Sequence, residues 1–408
     1  MPNRTWLTGG YVYDVEAGTY KPHDVLVQDG RIAALEPHGT APEGDARIAL
    51  GGAHLLPGLI DCHVHLTMPS EETDPAAWAR RSDAAVALYA AKAAERTLLA
   101  GVTTVRDVGG WNYVEMAVRA AIEDDLYPGP RLFLAGRLLS ITTATVEFYP
   151  GMYEVANGPA EVRAAARRQL AMGADLVKVM ATGAMLSARQ EDAHAIQYTR
   201  EEIEAAAEIA HDNLKHLAAH AHAARGVANA VEAGADSIEH GTFADAAVLE
   251  RMAVKGVFLV PTNCAFTLMQ RDDRAMDSLP PFLRERLMAN REIHRQAVAL
   301  AHRLGVPIAM GTDAGTPGNH HGMNAEECVL MVEEVGMTPR EAIRCATLNP
   351  ARLLRQEEHL GSIAVGKHAD IVGFRGAPAE DIREIRFPVF VMKAGTVWRN
   401  DIDGAAVR

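Results

Sequence analysis

The sequence predicts an α/β protein built on a (β/α)8 barrel of the TIM type, accompanied by a small β domain. Apolar runs of strand length alternate with helical segments through the middle of the chain, and eight such pairs fit between residues 56 and 360. Short strand-like runs separated by turn residues occupy both ends of the chain. A doubly wound open sheet is the weaker alternative, because no glycine fingerprint of the type G-x-G-x-x-G follows any strand.

The two ends of the chain are expected to pair with each other. Near the N-terminus, Asp29-Gly30 separates two apolar alternations, which is a hairpin signal. Short strands return after Leu360, among them residues 389–392 and 396–398. We therefore expect residues 1–55 and 361–408 to form a small β-sandwich domain and residues 56–360 to form the barrel.

The barrel elements then follow in chain order. The first strand lies within residues 56–66, and the other predicted strands span 102–108, 131–135, 176–180, 217–222, 237–240, 257–261 and 306–310. The predicted helices span 83–99, 112–123, 158–172, 199–214, 223–233, 244–255, 281–304 and 323–354, the last with interruptions near Gly336 and Pro350. Thr199, with Glu202 three residues later, forms a capping box that marks the start of one helix.

Composition limits the possible partners and the compartment. Of 408 residues, 48% are hydrophobic and 23% charged, with a formal net charge of -13. A basic face for nucleic acid or an anionic membrane is therefore not expected. The four cysteines lack paired spacing, and neither a leader-type N-terminus nor an apolar run of about 18 residues appears. We expect a cytoplasmic protein with a small-molecule substrate, and a homo-oligomer.

Residues of metal-ligand type stand at five predicted strand ends. His63 and His65 are one residue apart and share a strand face. Each of the five alone has an ordinary explanation, such as a helix cap or a hydrogen-bonded histidine. Together, histidines and a carboxylate at the active end of a barrel indicate a site for a divalent metal such as zinc. The residues at these strand ends are His63, His65, Lys178, His220, His222, His240 and Asp313.

Lys178 is the unusual member of this set, because an ammonium group cannot bind a metal. It stands alone in the apolar run Leu176-Val177-Lys178-Val179-Met180. A buried lysine beside cations can be neutral and can then react with CO2 to give an anionic carbamate. Such a carbamate could bridge two metal ions.

These residues resemble the ligand set of the binuclear amidohydrolase superfamily. The segments Met180-Ala181-Thr182-Gly183, Ser237-Ile238-Glu239-His240-Gly241 and Gly311-Thr312-Asp313-Ala314-Gly315 are similar to the imidazolonepropionase-like branch, which includes Xaa-Pro dipeptidases and arginine carboxypeptidase-like enzymes. The closing segment 361–370 resembles the tail that these enzymes share. The resemblance covers essentially the whole chain.

The resemblance implies a role for each ligand-type residue. His63, His65 and Asp313 would hold one metal ion, His220 and His240 would hold the second, and carboxylated Lys178 would bridge them. Spacing does not separate His220 from His222, and the family pattern favours His220, with His222 supporting the site or facing substrate. The expected reaction is amide hydrolysis by metal-activated hydroxide, with Asp313, His240 and His222 as the catalytic set and Asp313 moving the proton.

The sequence leaves two hypotheses for the substrate class. The resemblance favours a dipeptidase or carboxypeptidase acting on dipeptides or N-acyl amino acids, and the alternative is a hydrolase of non-peptide amides, ureas or carbamates. Ser140–Thr145 contains no histidine and Gly183-Ala184 replaces a pair of glycines, which weakens the dipeptidase reading.

Other classes fit the sequence less well. A lactonase or phosphotriesterase-like hydrolase shares the ligand set, a deaminase would need a glutamate within Ala221–Arg225, and a non-catalytic scaffold would have lost ligands. The residues expected to contact substrate are Tyr149, Tyr153, His194, Gln197, Tyr198, Asn263, His320 and His321.

Overall fold

The structure of the chain is a computed structural model that describes residues 4–72 and 74–402. Its strands are β1 (Arg4–Asp14), β2 (Thr19–Gln28), β3 (Arg31–Pro37), β4 (Arg47–Ala49), β5 (His54–Pro57), β6 (Leu59–Val64), β7 (Val102–Asp107), β8 (Arg131–Leu134), β9 (Leu138–Ser140), β10 (Tyr153–Val155), β11 (Leu176–Met180), β12 (His216–Ala223), β13 (Ser237–Phe243), β14 (Phe258–Val260), β15 (Ile371–Phe374), β16 (Pro388–Lys393) and β17 (Thr396–Asn400).

The helices in the same part of the chain are α1 (Pro75–Ala79), α2 (Asp83–Leu99), α3 (Val114–Glu123), α4 (Thr145–Phe148), α5 (Gly158–Ala171), α6 (Arg200–Asp212), α7 (Ala224–Glu232), α8 (Ala246–Lys255), α9 (Asn263–Arg271), α10 (Asp273–Ser278), α11 (Pro281–Arg303), α12 (Glu326–Glu333), α13 (Pro339–Cys345) and α14 (Leu348–Leu353). A short 3-10 helix spans Ile382–Arg386. The capping box predicted at Thr199 and Glu202 is confirmed at the start of α6. Among the helices described, none is long and apolar enough to cross a membrane.

Strands from both ends of the chain share one sheet of eight strands. Its order is β17-β16-β15-β5-β1-β2-β3, with β4 paired to β1. β15 runs antiparallel to β5 and places Ile371 opposite Pro57. The predicted hairpin is confirmed, since Asp29 and Gly30 join β2 to β3 with φ of 51° and 76°. The domain boundaries at residues 55 and 361 stay a prediction.

Parallel strands build the middle of the molecule. One sheet has the order β6-β7-β8 and a second has the order β10-β9-β11-β12-β13-β14. Backbone hydrogen bonds link them, because the Asp175 N–H donates to Leu134 O (2.7 Å) between β8 and β11. On the other side, the Cys62 N–H on β6 donates to Met310 O (2.8 Å). The strands are thus arranged in two linked parallel sheets, and their closure into an eight-stranded barrel stays a prediction.

The prediction of a regular strand at 306–310 is wrong. The segment makes an isolated parallel bridge between Ile308 and Leu259. Pro307 has no N–H to donate, and the Met310 N–H turns away to Cys345 O (2.6 Å). The ladder is therefore interrupted on both sides of Ile308.

The helical region predicted at 323–354 is three helices, α12, α13 and α14. The first break contains Gly336, as predicted. Pro350 does not break a helix, because it lies in the first turn of α14, where its missing N–H would have no partner. The second break is at Ala346 and Thr347 instead.

Candidate metal centre and active site

The ligand-type side chains predicted at strand ends converge on one cavity. Parallel strands bring their carboxyl ends to the same edge, so residues far apart in sequence meet there. The histidines and Lys178 are buried, and the Asp313 side chain is 14% exposed. The cavity lining contains His63, His65, Lys178, His220, His222, His240 and Asp313.

His63, His65 and Asp313 form the first group that could hold a metal ion. Nε2 of His63 and Nε2 of His65 lie 3.5 and 3.4 Å from Asp313 Oδ1. Nδ1 of His65 lies 2.9 Å from Gly109 O, and a carbonyl can only accept, so this nitrogen carries the proton. The Nε2 lone pair of His65 therefore faces Asp313, which is the tautomer that a metal ligand needs.

His220, His222 and His240 form the second group, with their ligand atoms within 4.8 Å of one another. Nδ1 of His240 lies 2.7 Å from Thr262 Oγ1, whose own hydrogen goes to Pro261 O (2.6 Å). Thr262 must therefore accept from His240, which leaves Nε2 of His240 unprotonated. The two groups adjoin, since the ring centroids of His63 and His240 are 4.9 Å apart.

The two histidines of β12, His220 and His222, differ in their hydrogen bonds. Nε2 of His220 donates to Gly183 O (3.2 Å), so its Nδ1 is the nitrogen left for a ligand. Nδ1 of His222 instead pairs with Thr242 Oγ1 (2.8 Å), which also contacts Nδ1 of His294 (3.1 Å). Both histidines nevertheless belong to the second group, because each has a ligand atom within 4.8 Å of the others.

The backbone is strained at two of these residues. His240 and Asp313 have φ of 72° and 60°, in the left-handed region that non-glycine residues rarely adopt. Such a conformation costs about 1–3 kcal/mol and persists where the surroundings enforce it. At Asp313 the enforcing contact is its N–H, which donates to His63 O (2.7 Å). This hydrogen bond holds Asp313 beside His63 in spite of the strain.

Burial sets the protonation of the group. It lowers the pKa of His65 to about 4 and that of His220 to about 3, so both imidazoles are neutral at pH 7, the form that binds metal. Burial also lowers the pKa of Lys178 and raises that of Asp313. Within the described residues, Nζ of Lys178 forms no hydrogen bond or salt bridge. An unpartnered buried amine beside carboxylate and imidazole donors fits a lysine that becomes a carbamate ligand.

A fully buried ion pair supports His63 from behind. Nη2 of Arg106 on β7 donates to both carboxylate oxygens of Glu239 (2.8 and 3.0 Å), and Glu239 Oε2 lies 2.7 Å from Nδ1 of His63. Burial alone raises the pKa of Glu239, but the Arg106 guanidinium holds it well below its usual range. Glu239 is therefore anionic, accepts from His63 Nδ1–H and leaves Nε2 of His63 unprotonated.

Neither member of this pair was recognised from the sequence. A signal for Arg106 existed, since it is the one cationic residue in the predicted strand Val102–Val108, as Lys178 is in its own strand.

Two of the eight residues expected to contact substrate line the cavity, Tyr149 and Tyr153. The other six, which are not in its lining, are His194, Gln197, Tyr198, Asn263, His320 and His321. Three of these side chains make contacts outside the cavity lining. The Tyr198 hydroxyl donates to Ala156 O (3.0 Å), and Asn263 Nδ2 donates to Glu327 Oε1 (2.8 Å). His194 is exposed and stacks on Phe243, with ring centroids 3.9 Å apart.

Apolar side chains form most of the remaining lining. Five methionines contribute to it: Met68, Met152, Met180, Met185 and Met269. They come from separate loops, a strand end and a helix, so no sequence pattern marked them as a set. The atom-free space amounts to about 770 Å³, part of it open to solvent, which leaves room for a substrate beside the ligand groups.

Two potential metal-binding groups meet in one cavity at the carboxyl-end side of the parallel strands, an arrangement typical of metal-dependent hydrolases. The chain belongs to the amidohydrolase family, whose sequence model matches residues 54–398. Its homologues are hydrolases that act on C–N bonds, and the chain is an enzyme of this class. The branch resemblance seen in the sequence is confirmed by the relatives found.

Three relatives illustrate the branch. Ochratoxinase from Aspergillus niger is 31% identical over 372 residues, covering 85% of this chain and 75% of the relative. Imidazolonepropionase from Salinispora arenicola is 29% identical over 392 residues, covering 90% and 89%. The crystal structure of a Xaa-Pro dipeptidase with bound methionine in its active site matches with a TM-score of 0.89 and 32% identity, covering 98% of this chain and 100% of the other.

Proposed function

We propose that this chain hydrolyses an amide bond at a centre of two divalent metal ions. His63, His65 and Asp313 would hold one ion, His220 and His240 would hold the other, and Lys178 carboxylated by CO2 would bridge them. The observation that carries the proposal is the placement of two donor groups and an unpartnered lysine around one cavity. Four imidazoles and one carboxylate are ligands that suit zinc.

The carbamate requires no further reactant beyond CO2. The neutral Lys178 amine forms a bond from Nζ to the carbon of CO2, one C–O π bond of CO2 opens to give an anionic oxygen ligand, and the nitrogen releases one proton to solvent. The same burial that disfavours the ammonium form supports this step.

Bound metal ions would polarise the scissile carbonyl and supply hydroxide at neutral pH. The residues of the chain then move the proton. Asp313 Oδ1 lies at the cavity within 3.5 Å of both His63 and His65, where its carboxylate can accept a proton from water and return it to the departing amine nitrogen. His222 lines the same cavity beside His240, with ring centroids 4.9 Å apart, and is assigned to the substrate side of the site.

Two substrate classes are considered. Likeness to a Xaa-Pro dipeptidase supports a dipeptidase or carboxypeptidase acting on dipeptides or N-acyl amino acids. The second class consists of non-peptide amides, ureas or carbamates, and likeness to ochratoxinase supports hydrolysis of an amide without deciding between the two classes. The cavity lining favours the second class.

Metal analysis tests the proposal directly. Protein prepared with zinc and bicarbonate should contain close to two zinc ions per chain when its metal content is measured by inductively coupled plasma mass spectrometry. It should also hydrolyse at least one member of a panel of dipeptides, N-acyl amino acids, aryl amides and ureas. Absence of bound metal after this preparation, or two bound ions without turnover of any amide or urea, would contradict it.

A further inference from the structure

Two buried polar residues at the start of α12 make hydrogen bonds towards the two candidate metal groups. Asn324 is 1% exposed and Glu327 is 0% exposed, and neither belongs to the cavity lining. The two residues are close neighbours in the chain, since only Ala325 and Glu326 separate them. Their hydrogen bonds nevertheless lead to different parts of the site.

Asn324 leads to the first group through the carboxylate of Asp61. Nδ2 of Asn324 donates to Asp61 Oδ2 (2.7 Å). Asp61, two residues before His63 on β6, accepts from the His63 N–H (3.0 Å). It also accepts from the N–H (3.2 Å) and the hydroxyl (2.6 Å) of Thr312, the residue before Asp313. One carboxylate thus binds the backbone at or beside two candidate ligands of the first group.

Glu327 leads to the second group through the start of α9. Its Oε1 accepts from the N–H and from Nδ2 of Asn263 (2.9 and 2.8 Å), and its Oε2 accepts from the Cys264 N–H (2.8 Å). Asn263 and Cys264 open α9, where backbone N–H groups lack partners within the helix. The side chain of Thr262, at the cap position, makes no such bond. Glu327 therefore supplies the cap that Thr262 does not.

This cap leaves the hydroxyl of Thr262 available to His240. Thr262 has φ of 59° and ψ of 44°, a left-handed conformation that is rare for a β-branched residue. In this conformation its Oγ1 accepts from Nδ1 of His240 (2.7 Å) and donates to Pro261 O (2.6 Å). Because Glu327 binds the backbone directly after Thr262, it holds the hydroxyl in place to accept from His240.

We propose that Asn324 and Glu327 are positioning residues of the metal centre, Asn324 for the first group and Glu327 for the second. The inference rests on the proposed binding of two metal ions, and it specifies which residues outside the cavity lining hold each set of ligands. Two neighbours on one segment then serve different metal ions. A general loss of stability cannot imitate this crossed dependence, because it would not select one group in one variant and the other group in the other.

Zinc affinities of two variants test the proposal. Asn324→Ala should lower the zinc affinity of the first group by about tenfold and change that of the second by less than about twofold, and Glu327→Gln should do the reverse. Competition with a chromophoric zinc chelator measures both affinities. His65→Asn and His220→Asn each remove a candidate ligand of one group, so they show which affinity belongs to which group.

Glu326→Gln is the control on the same helix. Glu326 is 7% exposed and accepts from Arg386 and Arg271, away from the start of α9. This variant should lower the free energy of unfolding in urea without changing either zinc affinity. Should Glu327→Gln fail to fold, Asn263→Ala removes one of the bonds to Glu327 and should weaken zinc binding at the second group alone.

Hydrogen–deuterium exchange on the metal-free proteins provides a readout that needs no zinc. Glu327→Gln should speed exchange in residues 263–266, and Asn324→Ala should speed it in residues 61–64. If the wild-type protein binds two zinc ions, the affinities decide, and equal losses at both groups or no loss at either would overturn the positioning role. If it binds fewer, the two-metal proposal fails, and the exchange pattern alone decides whether each residue holds its own part of the site.

Discussion

Oε2 of Glu239 lies 2.7 Å from Nδ1 of His63, so a carboxylate held by Arg106 determines which nitrogen of His63 faces the candidate metal centre. His63 and Glu239 are 176 residues apart in sequence. The contact connects the strand that carries the His-x-His pair to the strand that carries His240. The negative charge of Glu239, which is outside the cavity lining, therefore helps to set the tautomer of His63, a candidate metal ligand within it.

Replacing this carboxylate should damage both metal binding and folding. Glu239→Gln removes the negative charge, leaves the Arg106 guanidinium buried without its counter-ion, and no longer enforces one tautomer of His63. We expect zinc affinity to fall by about 10–100-fold and the free energy of unfolding by about 3–5 kcal/mol. Competition with a zinc chelator and urea denaturation measure the two effects.

Glu232→Gln is the matched control, because Glu232 pairs with Lys255 at the surface. It should change neither quantity. If Glu239→Gln behaved like this control, the carboxylate would have no role in orienting His63.

The hydroxyl of Thr262 should likewise set the tautomer of a candidate ligand, His240, in the second group. It accepts from Nδ1 of His240, and Thr262→Ala deletes this acceptor. Zinc affinity at that group should drop by about tenfold, whereas Thr262→Ser keeps the oxygen and should restore most of it. Two-site zinc titrations distinguish the groups, and similar loss in both variants would assign the effect to packing.

Lys178→Ala should abolish hydrolysis and lower the metal content below two ions per chain. The variant creates space where a small carboxylic acid can take the place of the carbamate, so propionate should restore part of both. Lys92→Ala is the control at an exposed lysine and should retain full activity. Undiminished metal content in Lys178→Ala would argue against a bridging lysine.

Glu115 should make stability depend on pH. Both of its carboxyl oxygens are buried without a hydrogen-bond partner, and burial, with the nearby Asp107 charge, raises the pKa of Glu115 to about 8. In the unfolded chain a glutamate ionises near pH ~4.3. Between these values the unfolded chain releases a proton that the folded chain retains, so this contribution to stability is present at low pH and is lost as pH rises towards 8.

The variant Glu115→Gln stays neutral and should lose this pH dependence. Urea denaturation at pH 5 and pH 8 should show a smaller decrease in unfolding free energy than in the wild-type protein. Glu123→Gln lies on the same helix at an exposed position and should behave like the wild type. Equal pH dependence in all three proteins would show that Glu115 is ionised in the folded state.

Local patterns predicted much of the fold and the ligand positions. Helix α2 and strand β11 lie where the sequence predicted them, because alanine-rich and β-branched runs with clear ends decide such elements locally. The positions of His63, His65 and Lys178 could be predicted because strand ends of a parallel sheet have a known direction.

The rest depended on contacts between distant parts of the chain. Arg106 meets Glu239 across 133 residues, and no local pattern indicates that pairing. Tyr198 lies in the segment between β11 and α6, yet packing directs its hydroxyl to Ala156 O and away from the cavity. The interruption of the strand near Pro307 also depends on distant contacts, such as the hydrogen bond from the Met310 N–H to Cys345 O.

The pairing of β15 with β5 has a consequence for the order of assembly during synthesis. β5 leads through Gly58, whose N–H donates to Asp370 O (2.8 Å), directly into β6 and His63. Residues 54–57 of β5 are made early, but β15, one of the two neighbours of β5 in the sheet, is made about 300 residues later. The segment that leads into His63 is therefore fully anchored only after β15 has left the ribosome, so we expect the finished site to capture metal after that point in synthesis.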